Sequence, residues 1–432
     1  METPQSKISQ KKTNWLQRLK DESWEAELLV SVASIFAIFK GFQLLDWAVD
    51  YFIDVLVPEQ YFYGYMICFL GYIAFGILGS FFAIHFGLRA YWIGLVGLNS
   101  VFPDYSIEDS AYSKIYTEKM SEKLPRLPTT ITSLDEICSV IFSAAFTLLL
   151  IYLYGGIISS VYLILFNLFK DQVPTILLLT PAILFGIIYL VVTLFSIIAN
   201  LKKFKKNPKI QTWYFNIMIW GSKVFYGPLY RYSLQTTMIF GSNFKKKKAL
   251  VKSVLLMLIF GLMLGTYQIF QSNVIYLLTS NAKPDTSRLY GSYYSENTEE
   301  EDFLLAPVIP AEIISKKVFQ LFIPILEHET SIMGKDCELS KIEVDRTSDK
   351  SKQKRWTANL ACYASNIIVS LNDEIIEVDF LKTDHSQTNQ FGIAGFINLE
   401  SVPTGIHKLK ITKTASSNIE KEWHIPFYYA PN

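Results

Sequence analysis

Apolar runs of about 20 residues, long enough for a helix to cross a hydrocarbon core of about 30 Å, recur near positions 28–49, 62–84, 139–165, 175–200 and 250–270. They predict five crossings. After about Ser340 the pattern changes to a period of two: Ile376, Val378 and Phe380 alternate with Glu377 and Asp379, Leu409 and Ile411 with Lys408, Lys410 and Thr412, and Trp423, Ile425 and Phe427 with His424 and Pro426. That alternation predicts half-buried strands. Asn372-Asp373, between Ile367–Leu371 and Ile375–Phe380, is a hairpin signal.

The boundaries that follow are a cytoplasmic basic tail over 1–26 and a helical membrane domain over 27–282, with cytoplasmic loops at 104–137 and 201–249. A juxtamembrane connector follows over 283–339, then an exoplasmic domain over 340–432. The expected fold class is a polytopic α-helical membrane protein of about five transmembrane helices with a C-terminal all-β sandwich. The stretch Pro403-Thr404-Gly405-Ile406-His407-Lys408-Leu409-Lys410-Ile411 resembles the late strands of immunoglobulin-like (Ig-like) or fibronectin-type modules. The resemblance implies a recognition module rather than a catalytic one.

Composition agrees with lipid as the solvent: 50% of the 432 residues are hydrophobic and 18% charged, against about 25% charged in soluble domains. The net charge of +1 becomes informative once divided by region. Leu201 to Leu250 carries eleven bases and no acid. Cationic flanks resist translocation, so this segment is expected in the cytoplasm, as is the tail with Lys7, Lys11, Lys12, Arg18 and Lys20. Five crossings then put Lys283 to Asn432, with 16 Lys and Arg against 22 Asp and Glu, on the other side. The tail lacks a short apolar core followed by a small-residue cleavage site, so the first span reads as an uncleaved anchor. The absence of an Asn-x-Ser/Thr sequon in the exoplasmic region favours a bacterial cytoplasmic (inner) membrane.

Within the spans three patterns stand out. Lys40, Gln43, Asp46, Asp50 and Asp54 fall within an arc of about 120° on the first helix; they read either as the lining of a solute path or as an interfacial end with Lys40 alone deep. Gly76, Ser80, Ala83, Gly87, Ala90, Gly94 and Gly97 form a small-residue stripe, with Gly261 and Gly265 a second instance. Such stripes allow close helix packing, within the chain or between copies. A helix from Phe62 to Ser100 would be about 58 Å long, so a break is expected near His85, Arg89, Tyr91 and Trp92, with Arg89 to Phe102 lying along the inner interface. Pro125 and Pro128 are expected to break the 104–137 loop.

The basic segment interleaves Lys202, Lys203, Lys205, Lys206, Arg231, Lys245, Lys246, Lys247 and Lys248 with aromatics that include Trp213 and Trp220. Joined to spans at both ends, it is expected to contact anionic headgroups of the inner leaflet as an interfacial or re-entrant element, and not nucleic acid. Cys337 and Cys362 read as a disulfide or as two buried thiols; a bridge would close a loop of 25 residues. There is no His-Glu-x-x-His, Gly-x-Ser-x-Gly, phosphate-binding glycine loop or Cys-x-x-Cys, so no catalytic residue, metal or cofactor is assigned. Glu327-His328-Glu329 and Asp384-His385 could supply metal ligands if the fold joined them. The expected function is a non-enzymatic membrane scaffold, sensor or assembly subunit that presents a recognition domain to a protein partner or a second copy. The alternative is a channel or transporter subunit with its path along the first helix.

Overall fold

Each of the five apolar runs lies in a helix long and apolar enough to cross a membrane. The computed structural model describes residues 23–102, 110–169, 172–243, 248–280, 288–337, 349–414 and 420–431. The chain divides into two compact units, one of Met1–Leu45 and Ile67–Gln271 and another of Asp46–Met66 and Ser272–Asn432. The helices are α1 (Trp24–Val55), α2 (Tyr61–Val101), α3 (Lys114–Lys123), α4 (Leu127–Phe169), α5 (Thr175–Asn200), α6 (Pro208–Tyr226), α7 (Tyr230–Asn243) and α8 (Lys248–Gln271).

Local chemistry sets several of the helix ends. Ser113 accepts from the Tyr116 amide as the N-cap of α3. Asn207 caps α6 by accepting from the Lys209 and Ile210 amides, with Pro208 in the first turn, where its missing N–H costs nothing. Pro174 stands at the N-cap of α5, and Pro181 is carried inside that helix.

Two expectations about this unit are corrected. First, α2 runs unbroken for 41 residues, because Arg89 is drawn into the protein by carboxylates of other helices and not left at an interface. Second, Pro128 does not break the 104–137 loop: it falls in the first turn of α4, which starts at Leu127 and runs 43 residues. The second loop likewise holds α6 and α7.

Gly76 lies so close to Gly261 and Gly265 that a Cβ there would overlap their backbone atoms. Four residues on, Ser80 Oγ donates to Met257 O at 2.8 Å. Small side chains thus let α2 and α8 meet backbone to backbone.

In the other unit, β1 (Ile313–Ile314), β8 (Glu420–Tyr429), β7 (Gly405–Thr414), β3 (Ile367–Leu371) and β4 (Glu374–Ile376) form one sheet in that order, and β2 (Val318–Pro324), β6 (Phe391–Asn398) and β5 (Phe380–Asp384) form a second. All pairs are antiparallel except β1 with β8. The β3–β4 turn has Asn372 at φ 50° and Asp373 at φ 69°, the left-handed pair that a two-residue hairpin requires. Side chains from both sheets, among them Leu321, Ile323, Val369, Ile393, Leu409, Ile411, Ile425 and Phe427, join one apolar core.

The expected all-β domain starting at 340 needs three corrections. Strands begin earlier, with β1 and β2 inside the segment expected to be a connector. The run Ile375–Phe380 is two strands, because the chain leaves one sheet after Ile376 and enters the other at Phe380. Asp349–Ser365 is a helix, with Trp356, Leu360 and Tyr363 at helical spacing on one face. This helix, α10, is tied to α9 (Glu327–Asp336) through the Cys337–Cys362 disulfide, Cα–Cα 6.0 Å. The bridge is the one read from the sequence.

Candidate functional site

The helical unit holds a buried ionic centre. Arg89 of α2 is 1% exposed. Its Nη2 donates to Glu27 Oε2 of α1 and its Nη1 to Asp135 Oδ1 of α4, both at 2.6 Å. The guanidinium lies 4.7 Å from the centroid of the Trp92 ring, and Trp92 Nε1 donates to Ile131 O at 3.1 Å. His85, one turn earlier and fully buried, has Nδ1 2.7 Å from Ser31 Oγ and Nε2 3.6 Å from Glu27 Oε2. Ser31 Oγ also donates to Glu27 O at 2.8 Å. One cation thereby clamps three helices. The pattern was only partly legible: His85, Arg89 and Trp92 stood out as a cluster, whereas Glu27 and Asp135 lie 62 and 46 residues from Arg89.

The polar stripe of the first helix is divided in its roles. Lys40 Nζ donates to Gln43 Oε1 at 2.9 Å on an exposed surface, and Asp46 is half-buried. Asp50 Oδ1 accepts from Asn273 Nδ2 at 2.9 Å. Asp54 Oδ1 accepts from the Glu327 amide at 2.8 Å, at the start of α9, and its carbonyl lies 2.8 Å from His328 Nδ1. Asp50 and Asp54 therefore bind the end of α1 to C-terminal residues of the same unit.

The small-residue stripe is also divided. Gly76 and Ser80 pack on Gly261, Gly265 and Met257, whereas Ala83, Gly87, Ala90, Gly94 and Gly97 are exposed. A Cβ on Gly87, Gly94 or Gly97 would meet nothing within 4 Å.

The basic aromatic segment forms a helical hairpin. From Asn207 onward α6 returns along α5: Gln211 Nε2 donates to Ala199 O at 2.9 Å, Tyr214 Oη lies 3.2 Å from Ser196 Oγ, and Phe225 stacks edge-on with Phe185 at 4.7 Å. The chain turns at Gly227, whose φ of 47° suits glycine, close against the Tyr154 hydroxyl of α4. Then α7 runs back, with Thr147 Oγ1 of α4 3.4 Å from Thr236 Oγ1. Lys202, Lys203, Lys205 and Lys206 are exposed in the turn before α6, and Trp213, Trp220 and Arg231 are exposed on the hairpin. Lys245, Lys246 and Lys247 lie outside the described residues, and Lys248 opens α8.

The C-terminal unit contains a second buried ion pair. Lys413 Nζ, on β7, donates to Glu329 Oε2 of α9 and to Pro324 O, and both residues are almost wholly buried. Desolvation pushes the Glu329 carboxyl up, but the Lys413 and Lys421 ammoniums outweigh it and hold it below the usual carboxylate range. Burial draws Lys413 below the ordinary lysine range against the opposing pull of Glu329. Burial likewise lowers His328. Lys413 looked like one more polar position on an alternating strand, yet it points inward with His407, Leu409 and Ile411. Of the metal ligands proposed from the sequence, His328 lies against the Asp54 carbonyl, Glu329 pairs with Lys413, and His385 packs on Phe322. Among the described residues no three His, Cys, Asp or Glu groups converge to hold a metal.

The same unit holds an open cleft of 790 Å³. Its rim carries Trp356, 63% exposed, and Phe391, 38% exposed. Among the described residues its acids are Asp54, Asp302 and Glu327 and its base is Lys382, which is itself engaged with Trp356 O at 3.1 Å. Asn359 Oδ1 is buried there, with no hydrogen-bond partner among the described residues. An apolar, aromatic-rimmed hollow with excess negative charge is suited to a cationic, partly apolar segment.

No protein-family model matches the chain. Neither a protein of curated function nor a solved structure shows detectable similarity to it.

Proposed function

We propose that the chain is a multi-pass protein of a bacterial cytoplasmic membrane and a non-enzymatic scaffold, sensor or assembly subunit. Its five apolar helices hold an Ig-like recognition domain on the exoplasmic face. The basic tail and the two basic ends of the segment from Leu201 to Leu250 lie on the cytoplasmic side, where exposed bases such as Lys202, Lys203, Lys205 and Lys206 meet anionic lipid, and the α6–α7 hairpin between those ends re-enters the membrane. The reading rests above all on the cleft, which has a cavity volume within the range of binding sites and an aromatic rim beside three carboxylates. The ligand is a basic segment of a protein partner, its cation over Trp356 and beside Asp302 and Glu327.

Crosslinking in native membranes tests this. The wild type should capture a partner through the C-terminal domain, and Trp356→Ala combined with Glu327→Gln should lower the yield at least tenfold, the loss of about 1.4 kcal/mol. Unchanged capture by that variant would end the proposal for the cleft.

A further inference from the structure

The hairpin α6–α7 carries a polar line on its outer surface. At 100° per residue, Lys209, Thr212, Asn216 and Lys223 fall within an arc of about 60° on α6, and all four are exposed. Arg231 and Gln235 continue the line on α7, also exposed. The two cations flank one ring: Lys223 Nζ and Arg231 Cζ lie 5.6 and 5.8 Å from the Tyr230 centroid, and Arg231 Nε donates to the Tyr230 hydroxyl at 3.1 Å. Around them the surface is apolar, with Phe215, Trp220, Tyr232 and Met238 all more than half exposed.

The contacts of α6 follow α5 from Ala199 to Phe185, about 21 Å at 1.5 Å per residue. Given the membrane reading above, on which this inference rests, the tip lies near the middle of a core of about 30 Å. Cations at that depth are costly unless partnered. The segment from Leu201 to Leu250 contains no carboxylate, and among the described residues no carboxylate pairs with Lys223 or Arg231. The described residues supply these cations with no counter-anion, which leaves them open to an anion from outside the chain, and the apolar surroundings select an amphiphile over a free anion.

We propose that Lys223 and Arg231 bind the phosphate of an anionic phospholipid drawn below the inner interface, with Tyr230 between them and the acyl chains along Trp220 and Phe215. The full-length protein, reconstituted in nanodiscs of equal phosphatidylglycerol and phosphatidylcholine, is analysed by native mass spectrometry. Wild type should retain phosphatidylglycerol, and Lys223→Gln with Arg231→Gln should lower retention roughly thirtyfold, from about 1 kcal/mol per cation. Lys223→Arg with Arg231→Lys should restore it. Equal retention by wild type and the double Gln variant overturns the site.

Should the neutral variant fail to fold, a phosphatidylglycerol with a photoprobe on its headgroup tests the wild type directly. Labelling within 220–232 supports the site, and labelling confined to 201–209 overturns it. Release of the bound lipid by inorganic phosphate at millimolar concentration would also overturn it, by showing a site for the free anion. A nitroxide at Ile187, in the middle of α5, separates the two claims: a lipid-buried Ile187 with no lipid at the hairpin rejects the site alone, and a water-exposed Ile187 rejects the membrane reading beneath it.

Discussion

Arg89 and Arg231 belong to the same helical unit and are treated in opposite ways. Arg89 is buried between two carboxylates supplied by helices far apart in sequence, whereas Arg231 is exposed in a segment without a single acid. A buried cation whose counter-charges come from the chain holds the fold together. An exposed cation without them points to something outside the chain. The Glu329–Lys413 pair of the C-terminal unit belongs with Arg89: both partners are almost wholly buried and come from a helix and a strand 84 residues apart.

The sharpest way to break this comparison is to neutralise each arginine. Arg89→Met leaves Glu27 and Asp135 uncompensated and should destabilise the helical unit by about 3–5 kcal/mol, read as a lower midpoint of thermal unfolding in detergent. Arg231→Gln should shift that midpoint by no more than a surface substitution does, about 0.5 kcal/mol. Equal losses would remove the distinction. Replacing Cys337 and Cys362 together by Ser should cost the C-terminal unit about 3 kcal/mol, the chain-entropy value for a loop of this size, observed as a lower urea midpoint.

The two halves of the small stripe give the next contrast. Gly261→Leu drives a side chain into the Ile77 backbone and should destabilise by about 1–3 kcal/mol, whereas Gly94→Leu, in open space, should be close to neutral by the same thermal assay.

The smallest effect concerns pH. Burial sets the His328 folded-state pKa below its ordinary 6.5, so the unfolded chain takes up the proton first. Stability is full above 6.5 and falls as pH drops from there toward the lower folded value. Glu329, depressed by its ammonium partners, contributes fully above 4.5 and loses that contribution as pH falls through its folded value. Urea midpoints measured between pH 2 and 8 should thus decline in two stages on acidification, and His328→Gln should reduce the upper one, to which His385 and His424, also lowered by burial, contribute the remainder.

How far the sequence speaks depends on the range of the interaction. The five apolar helices, the β7–β8 alternation, the left-handed turn at Asn372-Asp373 and the Cys337–Cys362 bridge were all legible, because each rests on local periodicity or residue chemistry. Helix α10 was missed because its apolar positions are sparse and its charge resembles a loop. The sheet switch after Ile376 was missed because the two-residue alternation continues through it. Glu27, Asp135 and Lys413 were not singled out, since each gains its role from a partner brought near only by folding. Of the candidate cleft, Asp54 and Glu327 stood out in the sequence, but as a polar stripe and a conceivable metal ligand and not as neighbours.

The central claim is that the bases before α6, Lys202 to Lys206, and the C-terminal domain face opposite compartments. Single cysteines at Lys205 and Thr404, both exposed, test it with a membrane-impermeant maleimide on intact spheroplasts. Thr404→Cys should label at once and Lys205→Cys after permeabilisation alone. Labelling of both, or of Lys205→Cys in place of Thr404→Cys, would contradict the account.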